Sequence, residues 1–158
     1  MSLSKKEKVY TQQEALIKIS SFCAYQERTQ QEARDKLYGY GLHKDIVEEL
    51  ISKLISKNFI NEERFAKSYA GGKFRIKKWG RIKIKEALKS KGVSEYCIKK
   101  GLLEIGDKDY IVTLLSLIKK RSGKEKEKNE YERKHKIAQY LHGKGYESDL
   151  VWDILKVE

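Results

Sequence analysis

The pattern Leu-x-x-x-Gly-apolar occurs three times along this chain, as Leu37 to Leu42, Leu88 to Val93 and Leu141 to Tyr146, with its glycines 51 and 53 residues apart. Such a segment ends a helix. Glycine takes the left-handed C′ position without a Cβ penalty, and the apolar residue after it folds back on the Leu at C3. Downstream, Ile46-Val47, Cys97-Ile98 and Leu150-Val151 hold equivalent places, and Ile51, Leu102 and Leu155 come five residues after the first of each pair. This is the apolar stripe of one short helix written three times. Each copy leaves room for two helices before the stop and one after it, so the chain reads as three tandem three-helix units, or triplets, at 10–60, 61–105 and 106–158. One such unit buries little by itself, and stacking on a neighbour supplies the rest. The expected fold class is therefore all-α, three repeats in an elongated, curved array.

Local signals agree. The 158 residues contain no Pro, so nothing interrupts a helix by that route. Thr11 with Glu14 and Thr29 with Glu32 are capping boxes that open helices near 12–27 and 30–39, and His43 to Lys57 puts Ile46, Val47, Leu50, Ile51, Leu54 and Ile55 on one face. Asn61 caps a helix running to about Lys78, with Phe65, Ala66, Tyr69 and Ile76 spaced to face a core. Gly80 breaks it, a helix over 81–91 follows, and Ser94 caps the next to about Ile105. Asp107 opens a helix carrying Ile111, Leu114, Leu115 and Ile118. The charge-rich run 124–136 grades into a helix ending at His142, and the last helix covers about 148–156.

Charge is distributed unevenly. The formal net charge is +12, and residues 67–100 alone carry twelve Lys and Arg against only Glu86 and Glu95, whereas 1–66 and 101–158 are each within one charge of neutral. A surplus confined to one third of a chain draws an external polyanion or an acidic protein surface. Lys67, Arg75 and Lys78 share a face of one helix, Arg81, Lys85 and Lys89 recur at steps of four on the next, and Lys73, Lys77 and Trp79 lie between. Apart from Glu86, no acidic residue stands close by in the sequence to relieve the like-charge repulsion. Trp79 is either a core anchor or an aromatic that stacks on a partner. The pair Gly71-Gly72 suggests close backbone approach or a kink.

Other functions are disfavoured. No phosphate-cradling Gly-Lys-Ser/Thr loop, Gly-x-Ser-x-Gly, His-Glu-x-x-His or Cys/His nucleophile arrangement is present, so an enzyme, a cofactor or a metal site is not expected. Cys23 and Cys97 fall on apolar faces without a CxxC spacing and read as reduced, buried thiols. No apolar run approaches the ~20 residues that cross a bilayer, and the first six residues lack the apolar core of a signal peptide. A cytoplasmic monomer without membrane contact is expected. The stretch 119–136, nine basic and four acidic residues with alternating signs at 124–128, reads as a solvated linker or exposed helix.

The central segment Phe65-Ala66-x-x-Tyr69-x5-Arg75-x4-Gly80-x3-Ile84-x3-Leu88-x3-Gly92-Val93, preceded by Asn58-Phe59-Ile60-Asn61-Glu62-Glu63-Arg64, resembles the RecX family of bacterial RecA regulators. Asn58 stands where that family usually has Gly, and Ala87 where many members have another side chain. The resemblance implies an array lying in the helical groove of a RecA-type recombinase filament on DNA, slowing its ATP hydrolysis and strand exchange or destabilising the filament, within recombination, DNA repair and the SOS response. Two other readings remain open on the residues alone. One is sequence-nonspecific binding to DNA without a recombinase, led by phosphate contacts because the basic helix offers mainly Lys and no Asn or Gln. The other is an adaptor between proteins, which would not need its charge concentrated.

Overall fold

The structure, a computed structural model, describes residues 9–125 and 129–157. Among them are nine α-helices and no strand. The chain divides into two compact units that meet in sequence between Phe65 and Ala66. Residues 126–128 of the alternating-charge run, and the N-terminal residues read for a signal peptide, lie outside the described part.

The first unit holds α1 (Gln12–Tyr25), α2 (Gln30–Gly39) and α3 (Lys44–Ser56). Thr11 and Glu14 form the reciprocal capping box, and the Thr29 hydroxyl accepts from Glu32 N–H. The core is Ala15, Ile19 and Cys23 of α1, Ala33 and Leu37 of α2, Val47, Leu50, Ile51 and Leu54 of α3, and Ile60 beyond them. Each fully buried aliphatic side chain contributes about 1.5–3 kcal/mol. Ile55 departs from the expected stripe and is partly exposed, at its solvent edge. Several charged residues here are paired: the Arg34 guanidinium grips both carboxylate oxygens of Glu48, at 2.6 and 3.2 Å, and holds that carboxyl below its usual range. Arg64 donates to Glu27 at 2.5 Å and to the carbonyls of Asn58 and Phe59. Asn58 itself sits at φ 63°, in the left-handed region that Gly takes freely and Asn tolerates, which accounts for its substitution there.

The helix α4 (Glu62–Gly72) spans the boundary between units, and Asn61 caps it by accepting from Arg64 N–H at 2.9 Å. Its continuation differs from the expected single helix. Past Gly72 the chain makes one π-helical turn, Lys73–Lys77, and stops with Lys78 at φ 59°. The wider turn shifts the angular phase of everything after it. Phe74 is thereby buried, and Ile76, expected on the core face, is instead 79% exposed.

The second unit continues with α5 (Arg81–Ser90), α6 (Glu95–Leu102), α7 (Asp107–Ser122), α8 (Glu130–Gly143) and α9 (Ser148–Leu155). Its core runs through Ala66, Phe74, Ile84, Leu88, Ile98, Leu114, Ile118, Leu141, Val151 and Leu155, and a row of rings, Phe74, Tyr110 and Tyr146, stands at centroid spacings of 5.9 and 5.1 Å. On α7 the buried face is Tyr110, Leu114 and Ile118, while Leu115 turns partly outward. Gly101 lets α6 approach the backbone of α4, since a Cβ there would lie 2.7 Å from the Ala66 carbonyl oxygen. All three repeat glycines have positive φ: 81° at Gly41, 80° at Gly92 and 96° at Gly145. Cys23 and Cys97 are both buried free thiols.

Candidate interaction surface of the second unit

The basic residues named from the sequence divide into distinct settings. The start of α5 is the most constrained of them. Gly80, its N-cap, offers no side chain, so the helix's first N–H groups need acceptors from elsewhere. They find them in the third triplet: Gly80 N–H donates to the Lys144 carbonyl (2.8 Å), Arg81 N–H to the Tyr110 hydroxyl (3.1 Å) and Ile82 N–H to the Gly145 carbonyl (2.9 Å). Backbones meet there without side chains between them, for a Cβ on Gly80 would fall 2.3 Å from the Gly145 carbonyl oxygen. Gly80 is therefore a docking point as well as a helix break.

Arg81 belongs to this junction. Its guanidinium donates to Asp107 at 2.6 Å and to Glu147 at 3.3 Å, and lies 3.8 Å from the centroid of the Tyr110 ring. Tyr110 O–H donates in turn to Glu147, and burial with that bond pushes its phenol well above the usual value. Arg81 lacks an acidic partner close by in the sequence, and helices distant in sequence bring two carboxylates to it. They also lie close to a helix N-terminus, where negative charge is favoured.

Trp79 is half-buried, with the ammonium groups of Lys73 and Lys83 at 4.9 and 4.6 Å from its ring. Lys73 also sits 5.5 Å from the Tyr69 ring. Trp79 therefore holds lysines in place, an arrangement intermediate between the core anchor and the bare stacking ring considered from sequence. Lys67 is half-buried on α4 and already engaged within the fold. Arg75 is exposed and folds its guanidinium over Gly71, where a Cβ would stand 2.7 Å from a terminal nitrogen. Lys77, Lys78, Lys85 and Lys89 are exposed too. None of Arg75, Lys77, Lys78, Lys85 or Lys89 makes an ion pair with a carboxylate among the described residues. Lys85 borders a groove of about 250 Å³ between α5 and α6, with Glu95, Ile98, Lys99 and Leu102.

The charge-based reading missed Lys83 and Lys144. Lys144 donates from its ammonium group to the Lys77 carbonyl at 3.0 Å, and the Tyr146 hydroxyl donates to the Lys78 carbonyl at 2.9 Å, so the third triplet fastens the end of the π turn. Nothing local in the sequence marks either contact.

Consecutive three-helix units with a lysine-rich surface and no metal-binding cluster of His, Cys, Asp or Glu among the described residues define a helical-repeat protein. Among the described residues no helix is long and apolar enough to cross a membrane. The pattern of the second three-helix domain of RecX matches residues 61–102, and that of its third three-helix domain matches residues 108–155. The regulatory protein RecX of Clostridium perfringens (strain SM101 / Type A) is 35% identical over 131 residues, covering 82% of this chain and 61% of that protein. That of Bacillus mycoides (strain KBAB4) is 30% identical over 139 residues, 88% of this chain and 52% of that protein. The crystal structure of RecX from Lactobacillus salivarius superposes with a TM-score of 0.84 at 27% identity, over 92% of this chain and 94% of that one. Another crystal structure of regulatory protein RecX gives 0.82 at 25% identity, over 93% and 73%. The chain belongs to the RecX family, and it spans between about half and three-fifths of the length of those two bacterial relatives.

Proposed function

We propose that this protein binds a RecA-type recombinase filament on DNA as a monomer in the cytoplasm and inhibits it, lowering ATP hydrolysis and strand exchange in recombination and DNA repair. Membership of a family whose curated members are named regulatory proteins carries this reading. The exposed cations of the second unit support it, since five of them have no carboxylate partner among the described residues and a filament on DNA is strongly anionic. In this reading the three triplets, 10–60, 61–105 and 106–158, act as successive contact units and no cofactor takes part.

Substoichiometric protein is expected to lower the DNA-dependent ATP hydrolysis of a recombinase. Reversing Arg75, Lys85 and Lys89 to Glu changes the local charge by six units while leaving the Arg81 junction intact. The triple variant should keep its melting temperature, because exposed charges contribute little to folding, and should lose about tenfold or more in inhibition, equivalent to about 1.4 kcal/mol of binding. A folded triple variant that inhibits like its parent would remove the argument from charge. Equal affinity for bare and recombinase-coated DNA, with no change in ATP hydrolysis, would instead establish the DNA-only reading.

A further inference from the structure

Residues read from the sequence as two unrelated basic stretches meet in one cleft of the second unit. Its volume is about 290 Å³. One wall is the end of the π turn, Lys77 and Lys78; the other is the end of α7 with Lys120, Arg121 and Lys124; Lys144 closes it from the end of α8. The uncharged part of its lining, called its floor, is Ile76, Leu117 and Tyr140. Among the described residues no carboxylate lines it. Glu125 accepts from Arg121 Nε at 3.0 Å, and that guanidinium lies 4.3 Å from the centroid of the Tyr140 ring.

Six cations line this small volume. Concave walls of low polarizability focus the positive potential instead of dispersing it. The fold also fixes several of them: Lys144 is anchored on the Lys77 carbonyl, Lys78 is held in a left-handed conformation with its carbonyl bound by Tyr146, and Arg121 is braced by Glu125 and Tyr140. Positioned cations cost less ordering on binding than free ones. Cations on the walls and an aromatic, apolar floor together match a phosphorylated ligand that also carries a flat or apolar part.

We propose that this cleft is a phosphate-binding site that takes closely spaced phosphates, either of a nucleotide strand or of a free nucleotide or oligophosphate. The proposal goes beyond the recombinase reading and does not depend on it. It gives the stretch 119–124 a role as half of a binding site, where the sequence suggested a solvated linker.

The test needs no recombinase, so its result stands however the filament assay falls. Tripolyphosphate, ATP without divalent metal and a labelled oligothymidylate are titrated into the full chain, the parent against Lys120→Glu/Lys124→Glu and a control Lys44→Glu/Lys53→Glu in the first unit. The cleft variant is expected to bind about tenfold or more weakly and the control to change less than about twofold. For the strand, the slope of log affinity against log salt should flatten by about 1.4 when two phosphate contacts are lost, at roughly 0.7 per phosphate on a single strand. On the parent alone, bound ligand should protect Lys120 and Lys124 from acylation read by mass spectrometry, a measurement independent of how the variant folds. Binding by the free phosphates that displaces the strand identifies phosphate itself as the ligand; binding by the strand alone, lost in the cleft variant, identifies the backbone as its source. Equal weakening of cleft and control variants, absence of protection, or no binding by any of the three probes overturns the proposal.

Discussion

The helix stops of the second and third triplets share a sequence pattern, a positive φ at glycine and the same closing hydrogen bond, Val93 N–H to the Leu88 carbonyl at 3.2 Å and Tyr146 N–H to the Leu141 carbonyl at 3.0 Å. Their surroundings are opposite. A Cβ built on Gly92 meets nothing within 4 Å, whereas one on Gly145 would lie 2.3 Å from Lys83 Cβ and 2.5 Å from Lys83 N. The pattern thus dictates how the backbone ends a helix in both copies, and the neighbouring triplet decides whether that end does anything more. At Gly92 it is a stop. At Gly145 it is also the acceptor platform for the start of α5.

The largest effect that follows is at Gly145. Gly145→Ala combines positive-φ strain with a clash against backbone and should destabilise the second unit by more than about 4 kcal/mol, in the tail of single-substitution effects. Denaturant unfolding followed by helical circular dichroism measures it, and a loss no larger than at Gly92 would erase the distinction between the two stops. Next is Arg81→Ala, which removes charge-assisted bonds to Asp107 and Glu147 beside that platform and should cost about 2 kcal/mol by the same measurement. An unchanged midpoint would return Arg81 to the exposed basic surface where the sequence put it.

Gly92→Ala should cost only about 1 kcal/mol, the lower end of what an L-residue loses in the left-handed region. Smallest at neutral pH is Tyr146→Phe, which gives up the bond to the Lys78 carbonyl for about 0.5 kcal/mol. Alkaline titration sharpens this last case. Burial raises the phenols of Tyr110 and Tyr146 above their ordinary value near 10. Below that value both are neutral whether the chain is folded or not, and their contribution to stability is complete. Above it the unfolded chain ionises first, so stability should fall as pH rises past 10. The decline should be shallower in Tyr146→Phe, and parallel curves for the two proteins would contradict the assignment.

The same contrast explains what could be read in the sequence. The three glycine stops, the Thr11 box, the Asn61 cap and the stripe Val47, Leu50, Ile51, Leu54 are local features, each set within a few residues, and they gave the order of helices. Ile76 was misplaced because a π turn has no separate residue signature: periodicity assumes one angular step per residue, and Lys73–Lys77 breaks it. The pairing of Arg81 was out of reach for a different reason. Its partners Asp107 and Glu147 stand 26 and 66 residues away, and no spacing rule reaches that far. The cleft is legible only in three dimensions, since Lys77 and Lys78 are separated in sequence from Lys120, Arg121 and Lys124.

The capping of α5 has a consequence for synthesis. The acceptors for Gly80 and Ile82 are the carbonyls of Lys144 and Gly145, so they do not exist while a ribosome is still making the residues between. With Lys144 following Gly80 by 64 positions, that interval is roughly 3 to 13 seconds at the usual ~5–20 residues per second. The first unit, whose core is complete by Ile60, can settle as it emerges. The basic helix after Gly80 has to wait, its leading amides bonded to water, until the third stop is translated.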